Sequence, residues 1–570
     1  MLSTLRFALR NCFLLLAPAV AVAQAPTITA TLPAANARAA ARTGPVTVTF
    51  SQPLTASSAA ALKVYSAQRG GLRSRGATPA VVSGNALTFR PEPYDFYPGE
   101  VVSVTTTVAA QAANGALLAA PRVQQFTVAV RGGTGGFGPI TQQLAVGLDP
   151  FGLTAADLDG DGDLDFIVAS NNSTSVGLNE GRGFFTLKPQ PLPGGSSGEV
   201  VAADVDSDGD LDLLVPNRGS SVRVLLNEGQ GSFRETPSLG LVSAAQVGRV
   251  AAADVDGDGD LDLLATNPGL TTGVSTVSVR FNDGSGAFSG GGNYPVGRGA
   301  LDLVSTDVDN DGDLDLATAS YDDAFGSTVS VRLNDGRGVF GGGGDYAVAR
   351  GPSGLKAADL NGDGFVDLLM ASSYNRPGAV SLRLNDGQGR FPGGSDLVAR
   401  ENPLDAAVAD LNGDGHLDLL ATSQGSSTVS AWLNGGDGTF GSRTDYVMGA
   451  GALGLVAADL DQDGDLDLLT ADVDAGTVSI RLNGGTGLAA AGPSAAPARF
   501  SLAPNPAQGA VRATGLAAGQ LVEVLDALGR TVGTATAGPR GEVTLPLPAG
   551  LPASVYVVRA GPQSVRLLVE

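Results

Sequence analysis

A nine-residue pattern, Asp-x-Asp/Asn-x-Asp-Gly-x-x-Asp, occurs seven times in this chain, and nothing else constrains the fold so tightly. The copies begin at Asp157, Asp204, Asp254, Asp307, Asp359, Asp410 and Asp459, at intervals of 47, 50, 53, 52, 51 and 49 residues. Small and apolar residues precede each copy, as in Val201-Ala202-Ala203, and an apolar run such as Leu211 to Val215 follows. Next come an alternating strand and a glycine turn, as in Val329 to Phe340, and a fourth short stretch such as Asp345 to Val348. Four short strands in about 50 residues make the unit of a propeller blade. The expected class is therefore all-β, with a seven-bladed β-propeller at its centre. Gly132 to Phe137 reads as the tail of the same glycine turn ahead of the first repeat, while the last copy, Leu482 to Gly487, lacks the Phe. This offset lets the first strand complete the last blade and remove exposed sheet edges.

The pattern itself predicts a metal loop. Carboxylates at positions 1, 3 and 5 of a tight turn converge, Gly at position 6 permits the turn, position 7 offers its backbone carbonyl, and position 9 closes the shell. Hard oxygen ligands in this number select Ca²⁺, up to seven ions, one per repeat. The predicted ligand positions are Asp157, Asp159, Asp161, Asp163 and Asp165; Asp204, Asp206, Asp208, Asp210 and Asp212; Asp254, Asp256, Asp258, Asp260 and Asp262; and Asp307, Asp309, Asp311, Asp313 and Asp315. The fifth and sixth loops give Asp359, Asn361, Asp363, Phe365 and Asp367, then Asp410, Asn412, Asp414, His416 and Asp418, and the seventh Asp459, Asp461, Asp463, Asp465 and Asp467. An EF-hand is excluded, because position 12 holds Val168, Val215, Ala265, Thr318, Met370, Ala421 or Thr470 in place of Glu, and the flanks read as strands. The competing reading is a solvated acidic turn.

Charge is distributed accordingly. The formal net charge is −22, but 31 of the 57 acidic residues lie in the seven loops, leaving 26 against 35 Lys and Arg elsewhere. The acidity is local, and no nucleic-acid partner is expected. The single cysteine, Cys12, lies in a segment expected to be removed, so disulfides are not expected in the mature chain.

That segment, residues 1–23, reads as a signal peptide: Arg6 and Arg10, a short apolar run from Cys12 to Val22, and Ala21-Val22-Ala23 before Gln24. No transmembrane segment is expected after its removal. Residues 24–131 alternate with period two around turns at Ser83-Gly84-Asn85, Pro98-Gly99 and Asn114-Gly115, which predicts an antiparallel sandwich. Residues 132–487 form the repeat region, 488–498 an Ala/Pro/Gly/Ser linker, and 499–570 a last β-rich module.

Three resemblances follow from these residues. The seven-fold loop makes the repeat region similar to the FG-GAP/VCBS, integrin-α-like β-propeller family, which implies Ca²⁺ binding and binding or adhesion. Phe50 to Leu54 and Tyr97-Pro98-Gly99-Glu100 resemble bacterial Ig-like modules, which implies a spacer. Leu502 to Pro506, Val522 to Arg530, Leu545-Pro546-Leu547, Leu551 to Tyr556 and Val565 to Val569 resemble the type A sorting domain of type IX secretion, with Ser554 where that family often has Gly. This implies export by the type IX machinery and later removal of the module; an ordinary Ig-like sandwich is the alternative.

Catalytic chemistry has few candidates. His416 is the only histidine and sits at a backbone-ligand position, so neither a Ser-His-Asp nor a His-metal constellation can be built. Lys63, Lys188 and Lys356 are the only lysines and form no cluster in sequence. Trp432, the only tryptophan, occupies the column held elsewhere by Arg280, Arg332, Arg383 and Arg481, and packing between blades is favoured over sugar stacking. The expected function is a monomeric, secreted or surface-attached Ca²⁺-dependent binding module for an extracellular glycan or protein, without enzymatic activity. The rivals are a polysaccharide lyase on a propeller scaffold and a structural surface spacer.

Overall fold

The computed structural model describes residues 23–483, apart from 76–78, 172, 189–191, 194–197, 218, 242–246, 270–272, 323–325 and 375–376, and the strands of residues 501–569 with part of their connections. The proposed signal peptide up to residue 22 and the proposed linker at 488–498 lie outside the described residues. The chain divides into two units, Met1–Gly485 and Thr486–Glu570. Among the described residues the regular structure is almost all strand, with two short 3-10 turns at Ala56–Ala61 and Gln424–Ser426, and no helix is long and apolar enough to cross a membrane.

Residues 24–131 fold as a sandwich. One sheet runs in the order Ile28–Leu32, Val46–Phe50, Ala86–Phe89, Val81–Ser83, and the other Leu62–Ser66, Val101–Thr106, Arg122–Thr127. Period-two alternation turns Val46, Val48, Phe50, Leu87, Phe89, Val102, Val104 and Phe126 into one common core.

The repeat region forms seven antiparallel sheets built on four strands, with a fifth short strand added in each of the first three; in the first six the strands follow chain order. Their first strands are Gly152–Ala156, Val201–Ala203, Val250–Ala253, Ala300–Thr306, Pro352–Ala358, Pro403–Ala409 and Ala452–Ala458. Each first strand touches the next, and Ala452–Ala458 touches Gly152–Ala156, so the contacts run in a cycle. The fourth strand of the seventh sheet is Phe137–Ala145, which pairs with Thr477–Asn483 in the register Asn483↔Phe137. The Asp loops join first to second strands, so all lie at one end of the sheets. Second strands such as Asp262–Asn267 and Asp367–Ser372 are buried at every residue. Their middles, Leu263 to Ala265 and Leu368 to Ala371, read as short apolar runs because both of their faces pack on neighbouring sheets.

The unit of residues 486–570 has two sheets of its own: Ser501–Ala503, Ala510–Thr514, Glu542–Pro546, and Thr531–Thr536, Leu521–Leu525, Ser554–Ala560, Gln563–Val569. Val511, Val522, Val524, Leu545, Val558 and Leu567 share its core.

Candidate metal centres and the domain that covers them

Each Asp loop is wound by its own side chains. In all seven, the amide at position 5 donates to Oδ1 of position 3 and the amide at position 7 to Oδ1 of position 5; in the third loop Asp258 N to Asp256 is 3.2 Å and Asp260 N to Asp258 is 3.0 Å. Gly at position 6 takes positive φ (Gly259, +99°) and in six loops donates its amide to Oδ2 of position 1. The turn thereby gathers oxygens that repel one another. Ligand-capable oxygens of Asp157/Asp159/Asp165, Asp204/Asp206/Asp212, Asp254/Asp256/Asp262, Asp307/Asp309/Asp311 and Asp459/Asp461/Asp467 lie within 4.8 Å of one another in each set. In the fifth and sixth loops Asn361 and Asn412 take position 3 and donate Nδ2 to Asp363 and Asp414, both at 2.9 Å.

The structure separates the predicted positions by role. Position 9 is fully buried, and both its oxygens accept amides: Asp262 takes Val255 N at 3.0 Å and Asn282 N at 2.9 Å. Position 7 turns its side chain onto the Asn-x-Gly turn of its own sheet. A Cβ on Gly284, Gly336, Gly387 or Gly436 would collide with Asp260, Asp313, Phe365 or His416. Only the backbone of position 7 therefore faces the loop, which is why Phe365 and His416 are accommodated.

Burial raises the position 9 carboxyls, to about 8 in Asp165, Asp212, Asp262, Asp315 and Asp467 and to about 7 in Asp367 and Asp418, despite the amides that favour the ionised form. At position 1, burial first and neighbouring carboxylates next raise Asp204, Asp307 and Asp459 to about 6 and Asp254 to about 7. Oδ1 of Asp204 and of Asp459 is buried with no hydrogen-bond partner. A buried unpartnered carboxylate oxygen beside two other carboxylates is costly unless a cation completes it. The donor set is all oxygen, so the residues fit Ca²⁺.

The sandwich of residues 24–131 packs onto this loop end, where a spacer was expected. Tyr97 OH donates to Gly162 O at 2.7 Å, Tyr65 OH to Gly259 O at 2.8 Å, and Asn36 Nδ2 to Gly364 O at 3.2 Å. The amides of Val123 and Arg131 reach Gly312 O and Gly464 O at 2.7 and 3.1 Å. All five acceptors are position 6 carbonyls. Tyr65 and Leu72 share a core with Val205 and Leu261, and Tyr97 shares one with Leu164. A cavity of about 380 Å³ remains beside the first two loops, lined by Arg69, Arg73, Arg75, Tyr94, Asp157 and Asp210.

The glycine turn after each third strand opens with an Asn: Asn179, Asn227, Asn282, Asn334, Asn385, Asn434 and Asn483. Each bridges two sheets. Nδ2 of Asn227, Asn282, Asn334, Asn385, Asn434 and Asn483 donates to the position 2 carbonyl of the preceding loop at 2.7–3.0 Å, and Asn179 reaches Leu460 O of the seventh loop at 2.8 Å. The recurrence of Asn at one register in all seven repeats was the available signal.

Lys356 also has partners that its sequence context did not reveal. Its Nζ lies 3.7 Å from Asp405, while Arg249 bridges Glu199 and Asp302, its Nε 2.8 Å from Asp302. Burial alone would raise Asp302, but Arg249 holds it below the ordinary carboxylate range. Glu199, Arg249, Asp302 and Asp405 each stand five residues before a loop, so this network ties neighbouring inner strands together. Trp432 is buried with Leu369, Leu382 and Leu419 between the fifth and sixth sheets. The arginines of its column staple sheets instead: Nε of Arg332, Arg383 and Arg481 donates to Pro295 O, Ala347 O and Val447 O.

Comparison with known families agrees with this geometry. The FG-GAP-like repeat family matches residues 157–215, 204–265, 307–370, 359–421 and 410–470. This chain carries FG-GAP-like repeats. The five matches together include all seven Asp loops, and a bacterial Ig-like domain matches residues 22–128. No curated protein matches the chain. Among solved structures, similarity extends to an Agrocybe aegerita lectin described as recognising non-reducing terminal N-acetylglucosamine, at 20% identity over 67% of this chain and 93% of that one, TM-score 0.37. A structure of BBS1N in complex with ARL6DN is similar at 14% identity over 61% of this chain and 97% of that one, TM-score 0.43.

Proposed function

We propose that the chain is a secreted or surface-attached Ca²⁺-binding module, a seven-bladed β-propeller of FG-GAP-like repeats that holds an extracellular glycan or protein ligand without transforming it. The observation that carries this reading is the cycle of seven asparagine hydrogen bonds, each landing on an Asp loop. Ring closure and loop geometry are one structure, so an ion that fixes a loop also fixes a seam between sheets. Position 1, 3 and 9 carboxylates, with position 5 and the position 7 carbonyl, would hold each ion. Ca²⁺ supplies charge neutralisation there, and the chain's own residues supply the shape.

With the loop end covered by the sandwich, the ligand surface falls at the opposite end of the sheets. Antiparallel connectivity places Leu148, Val274, Leu301 and Tyr374 there, all exposed. Tyr374 is 60% exposed and stacks on Tyr321 at 4.8 Å, with Arg350 beside it at 5.6 Å. An aromatic face next to a guanidinium suits a sugar ring or a peptide side chain. The C-terminal sandwich is read as the sorting module of type IX secretion, removed together with the signal peptide during export.

Elemental analysis of mature protein, with a glycan and matrix-protein binding screen in Ca²⁺ and in chelator, tests the reading. Between four and seven Ca²⁺ per chain are expected, and Tyr374→Ala should reduce capture of the ligand found without lowering the melting temperature. Fewer than about four ions per chain, or turnover of a bound polysaccharide, would overturn it.

A further inference from the structure

We propose that the N-terminal sandwich is part of the metal sites: it holds the outer oxygen of the first aspartate in four loops and thereby orients the inner oxygen toward Ca²⁺. The inference rests on the Ca²⁺ reading of the loops above.

The two oxygens of the position 1 aspartate are divided between two tasks. Oδ2 takes the position 6 amide of its own loop and a group from the sandwich. Thr105 Oγ1 donates to Asp254 Oδ2 at 2.7 Å and Leu72 N to Asp204 Oδ2 at 2.8 Å. Arg69 Nε lies 3.6 Å from Asp157 Oδ2 and Arg38 Nε 3.9 Å from Asp359 Oδ2. Oδ1 stays within the loop, and in Asp204 it is buried with no partner. A carboxylate held by two hydrogen-bond donors on one oxygen, as in Asp204 and Asp254, is restrained from rotating away from a cation on the other, and in Asp157 and Asp359 an arginine ion pair pulls on the same oxygen. Such outer partners set the affinity of the ligand they hold. The five hydrogen bonds to position 6 carbonyls act on the next peptide, whose carbonyl is the position 7 ligand.

Charge fits the same division. Residues 24–131 carry nine Lys and Arg against three Asp and Glu. A loop with five carboxylates remains anionic after taking a divalent ion, so the basic sandwich and the ion add their neutralisation and do not compete for it. The sixth loop is a built-in comparison, because Asp410 takes its hydrogen bonds from Gly413, Asp414 and Gly415 of its own loop. By linkage, what the sandwich adds to ion affinity, the ion adds to the seating of the sandwich.

Calcium titration calorimetry and hydrogen exchange on the full chain test the proposal. Thr105→Val should weaken one ion about 10- to 100-fold and leave the others unchanged; Thr105→Ser should restore it. Tyr97→Phe, which removes one hydroxyl from the first loop, should act in the same direction with a smaller effect. Ca²⁺ should slow amide exchange in residues 65–75 as well as in the loops. Unchanged affinities in both Thr105→Val and Tyr97→Phe, with exchange at 65–75 indifferent to Ca²⁺ while the loops become protected, would overturn the proposal and leave the Ca²⁺ reading standing. A wild-type chain that binds no Ca²⁺ would remove that reading and the proposal with it.

Discussion

Asp262 shows what a single residue does here. Its carboxyl closes the loop, stitches it to the third strand through Asn282 N, and is raised by burial to about 8. In an unfolded chain the same group titrates near ~3.9. A folded pKa above the unfolded one means the folded, metal-free protein binds the proton more tightly. That stabilisation is complete below about pH 4 and is lost as pH rises through the folded value near 8. Seven position 9 carboxyls with raised values sum in the same direction. On the proposed Ca²⁺ reading, calcium would take the proton's place, so metal binding would release protons and strengthen with pH. The melting temperature in chelator should therefore fall from pH 5 to pH 8, while in millimolar Ca²⁺ it changes little. Calorimetry at four pH values in both buffers reads the gap, which should widen above about pH 6. A gap that does not depend on pH would rule out protonated loop carboxyls in the metal-free state.

At the scale of an element, the unit is a sheet and the seam to its neighbour. Asn334 fills that seam. It donates to Val255 O and Leu314 O at 2.8 and 3.0 Å and accepts the amides of Gly336 and Gly338. Asn334→Ala strands buried carbonyls on two sheets, each costing about 1–3 kcal/mol. The exposed neighbour Asp335, which only caps its own turn, should cost less than about 1 kcal/mol as Asp335→Ala. Denaturant melts of the two variants give the comparison; similar losses would mean that the turn matters and the seam does not. Trp432→Ala belongs to the same class, since the ring fills the next seam but one, and should cost about 3–5 kcal/mol. Much of this architecture was legible in the sequence. The spacing of the Asp pattern marks where each second strand begins, and the Gly132 to Phe137 turn marks the strand that joins the seventh sheet. The asparagine seams were not legible as seams, because the acceptor is a carbonyl some 70 residues away. The seating of the sandwich was still less so. It relies on backbone donors at Leu72, Val123 and Arg131, and an amide that finds a long-range partner leaves no trace in residue type.

Across the whole molecule, the seam that differs from the rest is the one where the chain meets itself. Phe137–Ala145 pairs with Thr477–Asn483, and Asn179 binds Leu460 O, so the seventh sheet joins strands more than 330 residues apart. Phe137 packs edge-on against Tyr446 at 5.0 Å, and Tyr446 OH donates to Gly135 O at 2.7 Å. Phe340 makes the same contact with Tyr294 at 5.2 Å, but its partner is only 46 residues away. The two phenylalanines are therefore matched in chemistry and burial and differ in the length of chain that must be closed. Closure of a long loop is entropically late, so contacts across it form after the transition state. A contact absent from the transition state affects unfolding and leaves folding alone. Phe137→Ala and Phe340→Ala should lose similar stability, about 3–5 kcal/mol each. In Phe137→Ala the loss should be nearly all in a faster unfolding rate, whereas in Phe340→Ala it should divide between slower folding and faster unfolding. Stopped-flow refolding and unfolding in Ca²⁺ buffer separate the two. If Phe137→Ala slows folding more than Phe340→Ala does, the ring closes early and the remaining sheets assemble onto a seam already made.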